Sequence, residues 1–470
     1  MTRASYHISV ELQQLISADQ AYQYRIVPFK KEDNKTIFYS DITDIAGLTQ
    51  ELIVFLGYPL QIKYIETSIL DRYLSTNYRK QSSENQTLAY TQDFLEKVLL
   101  TAKTIGSSDI HFEPFENSCR IRYRLDGKLK EQFRIPKGEY PAIINRIKNQ
   151  ANLDISQNRL PQDGRITVKT QHDEFDIRVS TLPSMNGESI VLRILSKDTS
   201  GIQLDKLGFT EEELKIYKEG VRNPNGIVLI SGPTGSGKTT TLYATLKILN
   251  TVDTKILTIE DPIEYTLEGV MQIQLREDIG LDFETALKTF LRQDPDVIMV
   301  GEIRDVKTAN MAIRAALTGH LVLSTIHTNS AWATISRLID MGVPAHLIAS
   351  TLNLSVAQRL VRKLCGYCKK EQLIKLDDFP SQFIVPKTLD KHYVEQGCDK
   401  CFHTGYSGRK AIYEILPVTK ELSTHIKNNE LQIDDYLYKY EIKQLSDQAI
   451  QLISDGETSI NEVFSLLKNA

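Results

Sequence analysis

The chain has 470 residues, 41% hydrophobic and 25% charged, with 56 Lys and Arg against 60 Asp and Glu for a net charge of −4. That length predicts about three domains, and the apolar content is enough for packed cores, so disordered, collagen-like and low-complexity classes are excluded. The near-neutral balance argues against a nucleic-acid partner, no apolar run approaches the roughly 20 residues of a membrane-spanning helix, and no secretory signal opens the chain, so a cytoplasmic protein is expected.

Residues 26–29 and 36–39 read as short strands, and 47–56 carries apolar residues at helical spacing, which predicts a small N-terminal α+β unit over 1–80. The polar stretch 77–87 has the composition of an exposed linker. Residues 94–103 predict an amphipathic helix. Cys119–Leu125 alternates with period two and runs into Asp126-Gly127, a hairpin turn signal, and 165–170 and 175–180 alternate likewise. An α+β domain with a curved sheet is therefore expected over 88–196. A second connector, 196–201, leads to 204–470, where buried-strand patterns alternate with helical ones as in a parallel α/β sheet.

Gly232, Pro233, Thr234, Gly235, Ser236, Gly237, Lys238 and Thr239 fit the phosphate-loop pattern G-x-x-x-x-G-K-[ST], with Thr240 next in the chain. An apolar strand pattern, 227–230, precedes the loop, and a helical one with Leu242, Leu246 and Leu249 on one face follows it. In that context the glycines let backbone amides turn onto phosphate oxygens at a helix N-terminus. Lys238 is expected on the β/γ-phosphates of ATP, and Thr239 on Mg²⁺. Such a site also needs carboxylates near the metal and the attacking water. Two apolar strand patterns supply them: 256–259 ends in Glu260, Asp261 and Glu264, and 297–300 ends in Glu302.

The run Leu291–Asp305 resembles the signature of the type II/type IV secretion ATPase superfamily. The stretch 260–264 resembles its aspartate box, and 318–329 its histidine box. Residues 108–114, 159–165 and 176–183 are similar to its second N-terminal domain. The resemblance implies a RecA-like P-loop NTPase core over 204–470, preceded by a PAS-like α+β domain over 88–196 and a small N-terminal α+β domain over 1–80. It makes Glu302 the Walker B acid near Mg²⁺ and Glu264 a carboxylate that activates or positions water, leaving open which is the general base. It places His320 and His327 on the γ-phosphate side, and Leu207 and Phe209 beside the adenine. It assigns Arg159, Arg165 and Arg178 to the nucleotide site, where an arginine fork suits phosphate oxygens.

Cys365, Cys368, Cys398 and Cys401 form two C-x-x-C pairs, able to close a tetrahedral Zn²⁺ site. No thioredoxin-like pattern frames either pair, which disfavours redox chemistry. The flanking sequences, 358–365 and 405–414, resemble the metal-binding insert of secretion and pilus-assembly ATPases, here 362–410. Cys119, alone in an alternating strand, is expected as a buried small residue. Residues 20–76 resemble only part of the family's first N-terminal domain, without the paired motifs of relatives that bind a cyclic dinucleotide. A module that docks on an inner-membrane platform protein is expected instead.

The family resemblance thus implies a homohexameric motor, peripheral to the inner membrane through partners, that powers type II secretion or type IV pilus extension. The alternatives are a DNA-uptake or conjugation ATPase and a nucleotide-binding scaffold without hydrolysis.

Overall fold

The computed structural model describes residues 8–13, 15–16, 18–32, 35–56, 58–78, 94–169, 174–195, 201–386, 389–430 and 432–468. Most of the expected linker and all but one residue of the expected connector, 79–93 and 196–200, lie outside the described residues.

The first part runs α1 (Val10–Gln13), α2 (Ala18–Gln23), β1 (Ile26–Glu32), β2 (Lys35–Ser40), α3 (Ile45–Leu56), β3 (Leu60–Tyr64) and α4 (Thr67–Asn77). β1 pairs antiparallel with β2, and β2 parallel with β3 across the α3 crossover. Ile26, Val27, Phe38, Leu52, Leu70 and Leu74 fill its own core. The β1–β2 register slips between Pro28 and Lys30, next to a residue with no N–H for the ladder.

The second part contains α5 (Phe94–Thr104), β4 (Asp109–Pro114), β5 (Cys119–Leu125), β6 (Lys128–Ile135), α6 (Tyr140–Gln150), β7 (Gln162–Lys169), β8 (Glu174–Ser184) and β9 (Gly187–Leu195). The strands form one antiparallel sheet, ordered β6-β5-β4-β9-β8-β7. Because side chains alternate across a strand, one face buries Ile110, Phe112, Ile121, Tyr123, Ile177 and Leu192 with Val98 of α5 and Ile143 of α6. Cys119 is buried in the same core, as its alternating strand predicts. The opposite face carries a cross-strand row in register, Arg124, Asp109, Arg193, Arg178 and Arg165.

The third part begins with α7 (Glu211–Val221), β10 (Gly226–Ser231), α8 (Lys238–Leu249), β11 (Ile256–Glu260), β12 (Met271–Gln274), α9 (Phe283–Phe290), β13 (Val297–Val300), α10 (Val306–Leu317), β14 (Leu321–Ile326), α11 (Ala331–Asp340), α12 (Ala345–Thr351) and β15 (Leu352–Leu364). The hairpin β16 (Lys370–Leu373) and β17 (Lys391–Val394) follows, then β18 (Tyr406–Pro417). Four helices close the chain: α13 (Lys420–Lys427), α14 (Asp434–Lys439), α15 (Leu445–Ser454) and α16 (Ile460–Lys468). The central sheet is ordered β12-β11-β13-β14-β10-β15-β18, parallel except for β18. Helices cover both faces, so β10, β13 and β14 are buried throughout and read as continuous apolar runs. Val228 and Ile230 point to one core, Ile227 and Leu229 to the other. No helix among the described residues is long and apolar enough to cross a membrane.

Candidate nucleotide and metal sites

Parallel register brings the ends of four strands, β10, β11, β13 and β14, to one edge, with β15 running on past it. Ser231 pairs with Ile326 of β14 and Ala357 of β15, and Val300 pairs with Ile259 and Ser324. Just beyond these residues lie the phosphate loop, Glu302, the 260–264 acids, His327 and Gln358. The C-terminal edge of a parallel sheet is where such folds bind ligands.

Two glycines of the loop are dictated by geometry. Gly232 has φ +150, and a Cβ there would lie 2.5 Å from the Gln358 carbonyl oxygen and 2.6 Å from Ser236 Oγ. Gly237, at φ +88 before the first turn of α8, would drive a Cβ to 2.9 Å from Gln358 Nε2. Both are left-handed conformations that glycine adopts without strain. Pro233, Thr234 and Gly235 are exposed at the loop crest, as is Thr239 at the start of α8, with Thr240 half-buried beside it.

Lys238 is largely buried, and its ammonium donates to the carbonyls of Gly232 at 2.7 Å and Pro233 at 3.1 Å. Burial pushes its pKa down, with Glu302 opposing and Arg359 adding to the shift. The loop is braced from β15: buried Gln358 donates to the Ser236 carbonyl at 2.8 Å and accepts from Thr241 Oγ1 at 2.9 Å. Arg359, whose pKa is lowered by burial, donates to the Asn329 carbonyl at 3.0 Å.

Glu302 follows β13 as a mostly buried carboxylate. Its Oε1 pairs with Arg304 Nη2 at 2.5 Å, and its Oε2 lies 3.4 Å from His327 Nε2. Arg304 also reaches Asp261 Oδ2 at 3.4 Å, so one guanidinium ties the two acidic clusters, and its own charge is reinforced by the Glu302 hydrogen bond. Asp305 is a helix cap, accepting from the Thr308 N–H at 2.8 Å. Glu260 is saturated by Tyr243, Thr258 and Gln272, which removes it from the open site. Of the other two acids beyond β11, Asp261 is exposed and bridged by Arg304, and Glu264 is half-buried.

Arg178 reaches that carboxylate from the antiparallel sheet. Its Nη1 lies 3.5 Å from Glu264 Oε2, and its Nη2 donates to the Ile263 carbonyl at 2.8 Å. Arg193, its register neighbour, feels the charge of Glu264 but is held by Asp109 Oδ1 at 2.9 Å. Arg165 pairs with Asp176 Oδ2 at 2.5 Å within its own sheet, and Arg159 is exposed in the turn before β7. Of the three arginines, Arg178 is the one placed on an acid of the strand-end cluster. Phe209 stacks on Tyr413 at 3.7 Å, and the Leu207 carbonyl accepts from the Tyr413 hydroxyl at 3.0 Å.

The two histidines part company. His327 follows the C-terminal end of β14, beside Glu302. His320 precedes the N-terminal end, where its Nδ1 sits 2.9 Å from the Ala315 carbonyl at the end of α10 and its carbonyl accepts from the Gly226 N–H. The six-residue strand between them spans about 20 Å, so His320 does not share the phosphate edge and the expectation for it is corrected. Two residues of the edge, Gln358 and Arg304, and Arg193 of the antiparallel sheet had no specific role in the sequence reading.

The four cysteines close the far end of the β15–β18 hairpin, where the Cys365 N–H donates to the Gly405 carbonyl at 2.8 Å. All four sulfurs lie within 4.8 Å of one another, with Cys365–Cys398 at 3.9 Å and Cys368–Cys401 and Cys398–Cys401 at 3.8 Å. Sulfurs bonded at about 2.3 Å to a tetrahedral Zn²⁺ stand about 3.8 Å apart, so this donor set fits the ion. The module also touches the antiparallel sheet: Asp126 accepts from the Gly408 N–H at 3.0 Å, and Lys130 donates to the Phe402 carbonyl.

Residues 84–465 match the family described as type II/IV secretion system protein. The chain is 40% identical to the type IV pilus assembly ATPase PilB of Pseudomonas aeruginosa, over 97% of this chain and 86% of that protein. It is also 40% identical to the type II secretion system protein E of the same organism, over 88% of each. Among solved structures, the Legionella pneumophila ATPase DotB aligns with a TM-score of 0.61 at 22% identity, over 82% of this chain and 97% of that one. The pilus retraction motor PilT with bound ADP aligns at 0.53 and 24%, over 78% and 95%. These two structural likenesses speak to the fold.

Proposed function

The chain belongs to the type II/IV secretion system protein family, as an ATPase with a RecA-like P-loop core, and we propose that it hydrolyses ATP to power assembly of a pilus or pseudopilus. The observation that carries this reading is the meeting of Lys238, Glu302, His327 and Glu264 at one sheet edge with Arg178 from the second sheet.

In this proposal the ammonium of Lys238 exchanges the carbonyls of Gly232 and Pro233 for the β/γ-phosphates, while the amides of 234–239 cradle the remaining oxygens. Thr239 and Glu302 offer the hard oxygen ligands that Mg²⁺ takes, and the bound ion supplies neutralisation of phosphate charge. Glu302 and Glu264 flank the attacking water, one as base and one as orienter, and His327 holds Glu302 from the side. Arg178 offsets the charge that develops on the transferred phosphoryl oxygens, and takes the role that resemblance spreads over Arg159, Arg165 and Arg178.

The three-part division at 1–80, 88–196 and 204–470 belongs to the same proposal, as does a hexameric ring. The N-terminal unit is the docking module for an inner-membrane platform protein, which makes the motor cytoplasmic and peripheral to that membrane. Cys365, Cys368, Cys398 and Cys401 hold a structural Zn²⁺ in the 362–410 module; a closed four-thiolate site leaves no position for chemistry. The test is steady-state ATP turnover by the full chain, alone and with vesicles carrying its platform partner. Turnover dependent on Lys238 supports the proposal, and its absence under both conditions refutes it.

A further inference from the structure

We propose that Tyr243 is a positioning residue: through its buried hydroxyl, the helix that begins at the phosphate loop holds the backbone of Glu264 in place. This rests on the assignment of Glu264 to the attacking water.

Tyr243 lies on α8, five residues beyond Lys238, with its side chain fully buried. Its hydroxyl donates to Glu260 Oε2 and accepts from the Glu264 N–H at 3.3 Å. The direction of that proton is set by the neighbours. Glu260 Oε1 already accepts from Thr258 Oγ1 at 2.7 Å and from Gln272 Nε2 at 3.0 Å. An ionised carboxylate can only accept. The single phenolic proton therefore points at Glu260, and the oxygen's lone pairs are left for the Glu264 amide. Burial, with Glu260 beside it, pushes the phenol far above its ordinary range, so it keeps that proton.

The ring is fixed as well as the hydroxyl. Tyr265 meets it edge-on at 4.5 Å, and Gln272 ties the cluster together by donating to the Tyr265 carbonyl at 3.2 Å and accepting from the Leu267 N–H at 2.7 Å. Glu264 is thus held twice. Its backbone is tied to α8 through Tyr243, and its carboxylate faces Arg178 of the other sheet. The Tyr243 hydroxyl meets Glu260, the Glu264 N–H and, at 3.5 Å, Gln272 Nε2, and it acts on the reacting groups through Glu264. A shift of the phosphate loop that moves α8 carries the Glu264 amide with it.

The test compares kcat and KM for ATP in the full chain and three variants. Tyr243→Phe keeps the ring and removes the acceptor of the Glu264 N–H. A displacement of the order of 1 Å at a reacting group can cost up to about 100-fold, and we expect kcat to fall about tenfold or more with KM within twofold of wild type. Thr258→Val removes a different donor from the same Glu260 without touching Glu264, and is expected to keep wild-type kcat. Tyr243→Phe/Glu260→Gln relieves the carboxylate that the single variant leaves short of a donor, so it guards against a loss that is only a folding defect; its kcat is expected to stay low. Wild-type kcat in folded Tyr243→Phe, equal losses in Thr258→Val, or recovery of kcat in the double variant would overturn the proposal. No turnover by the wild-type chain would remove the ATPase assignment and this proposal together, which separates the two failures.

Discussion

Arg178 Nη1 stands 3.5 Å from Glu264 Oε2, a contact that joins β8 of the antiparallel sheet to the end of β11 in the parallel one. Any rotation between the two sheets must make or break it. Removing one well-placed electrostatic donor costs about 10²–10³ in kcat. Arg178→Ala is expected to lose on that scale. Arg165→Ala, whose guanidinium is engaged by Asp176 in its own sheet, is expected to lose much less. Steady-state kinetics on both variants decide between one arginine and several.

Gln358 is the brace of the phosphate loop, and Gln358→Ala strands the Ser236 carbonyl in a buried setting and leaves the Thr241 hydroxyl only its long 3.4 Å bond to the Gly237 carbonyl. Leaving buried polar groups unsatisfied costs about 1–3 kcal/mol. A lower melting temperature and weaker nucleotide binding are expected together, measurable by thermal unfolding and by titration with a fluorescent ATP analogue. A variant with wild-type affinity would show that the loop holds its shape without β15.

The phosphate loop was legible in the sequence because eight positions between a strand and a helix leave the backbone little choice. Gln358 was not, because it meets Ser236 across 122 residues of chain, and no periodicity says that β15 pairs with β10. The same limit misplaced His320. Its motif gathers two histidines in eight residues, but the six between them form an extended strand, which sends the two to opposite ends of the sheet. Arg178 was legible only through resemblance, since its value lies in a contact with another sheet. The cysteines were legible from spacing, while their place at the end of the β15–β18 hairpin follows from pairing.

The four sulfurs predict about one Zn²⁺ per chain. Chelation, or Cys365→Ser with Cys398→Ser, is expected to lower the melting temperature and raise hydrogen exchange over 362–410 and the turn at Asp126, which accepts from the Gly408 N–H. Elemental analysis of the purified chain checks the stoichiometry. A folded, metal-free protein with unchanged exchange would contradict the site.

Glu414 gives a pH dependence. Its carboxyl is buried on β18, accepts from the Ala331 N–H at 2.7 Å, and has its pKa raised by burial against the opposing pull of that hydrogen bond and Arg359. The folded state therefore holds this proton to higher pH than the unfolded state does. Between the ordinary glutamate value of about 4.3 and the raised folded value, folding binds more protons than unfolding, so stability falls as pH rises. Glu414→Gln is expected to flatten that part of the profile, read as melting temperature from pH 4 upward. An unchanged slope would show that Glu414 ionises normally.

ATP turnover by the 470-residue chain, measured beside Lys238→Ala and Glu302→Gln, tests the central claim most directly. The account predicts measurable release of inorganic phosphate by the wild-type protein with Mg²⁺ present. It predicts a loss of at least about 100-fold in each variant, the scale of one removed transition-state contact, with folding intact by circular dichroism. Wild-type turnover in either folded variant would contradict the assignment of this edge as the site of hydrolysis.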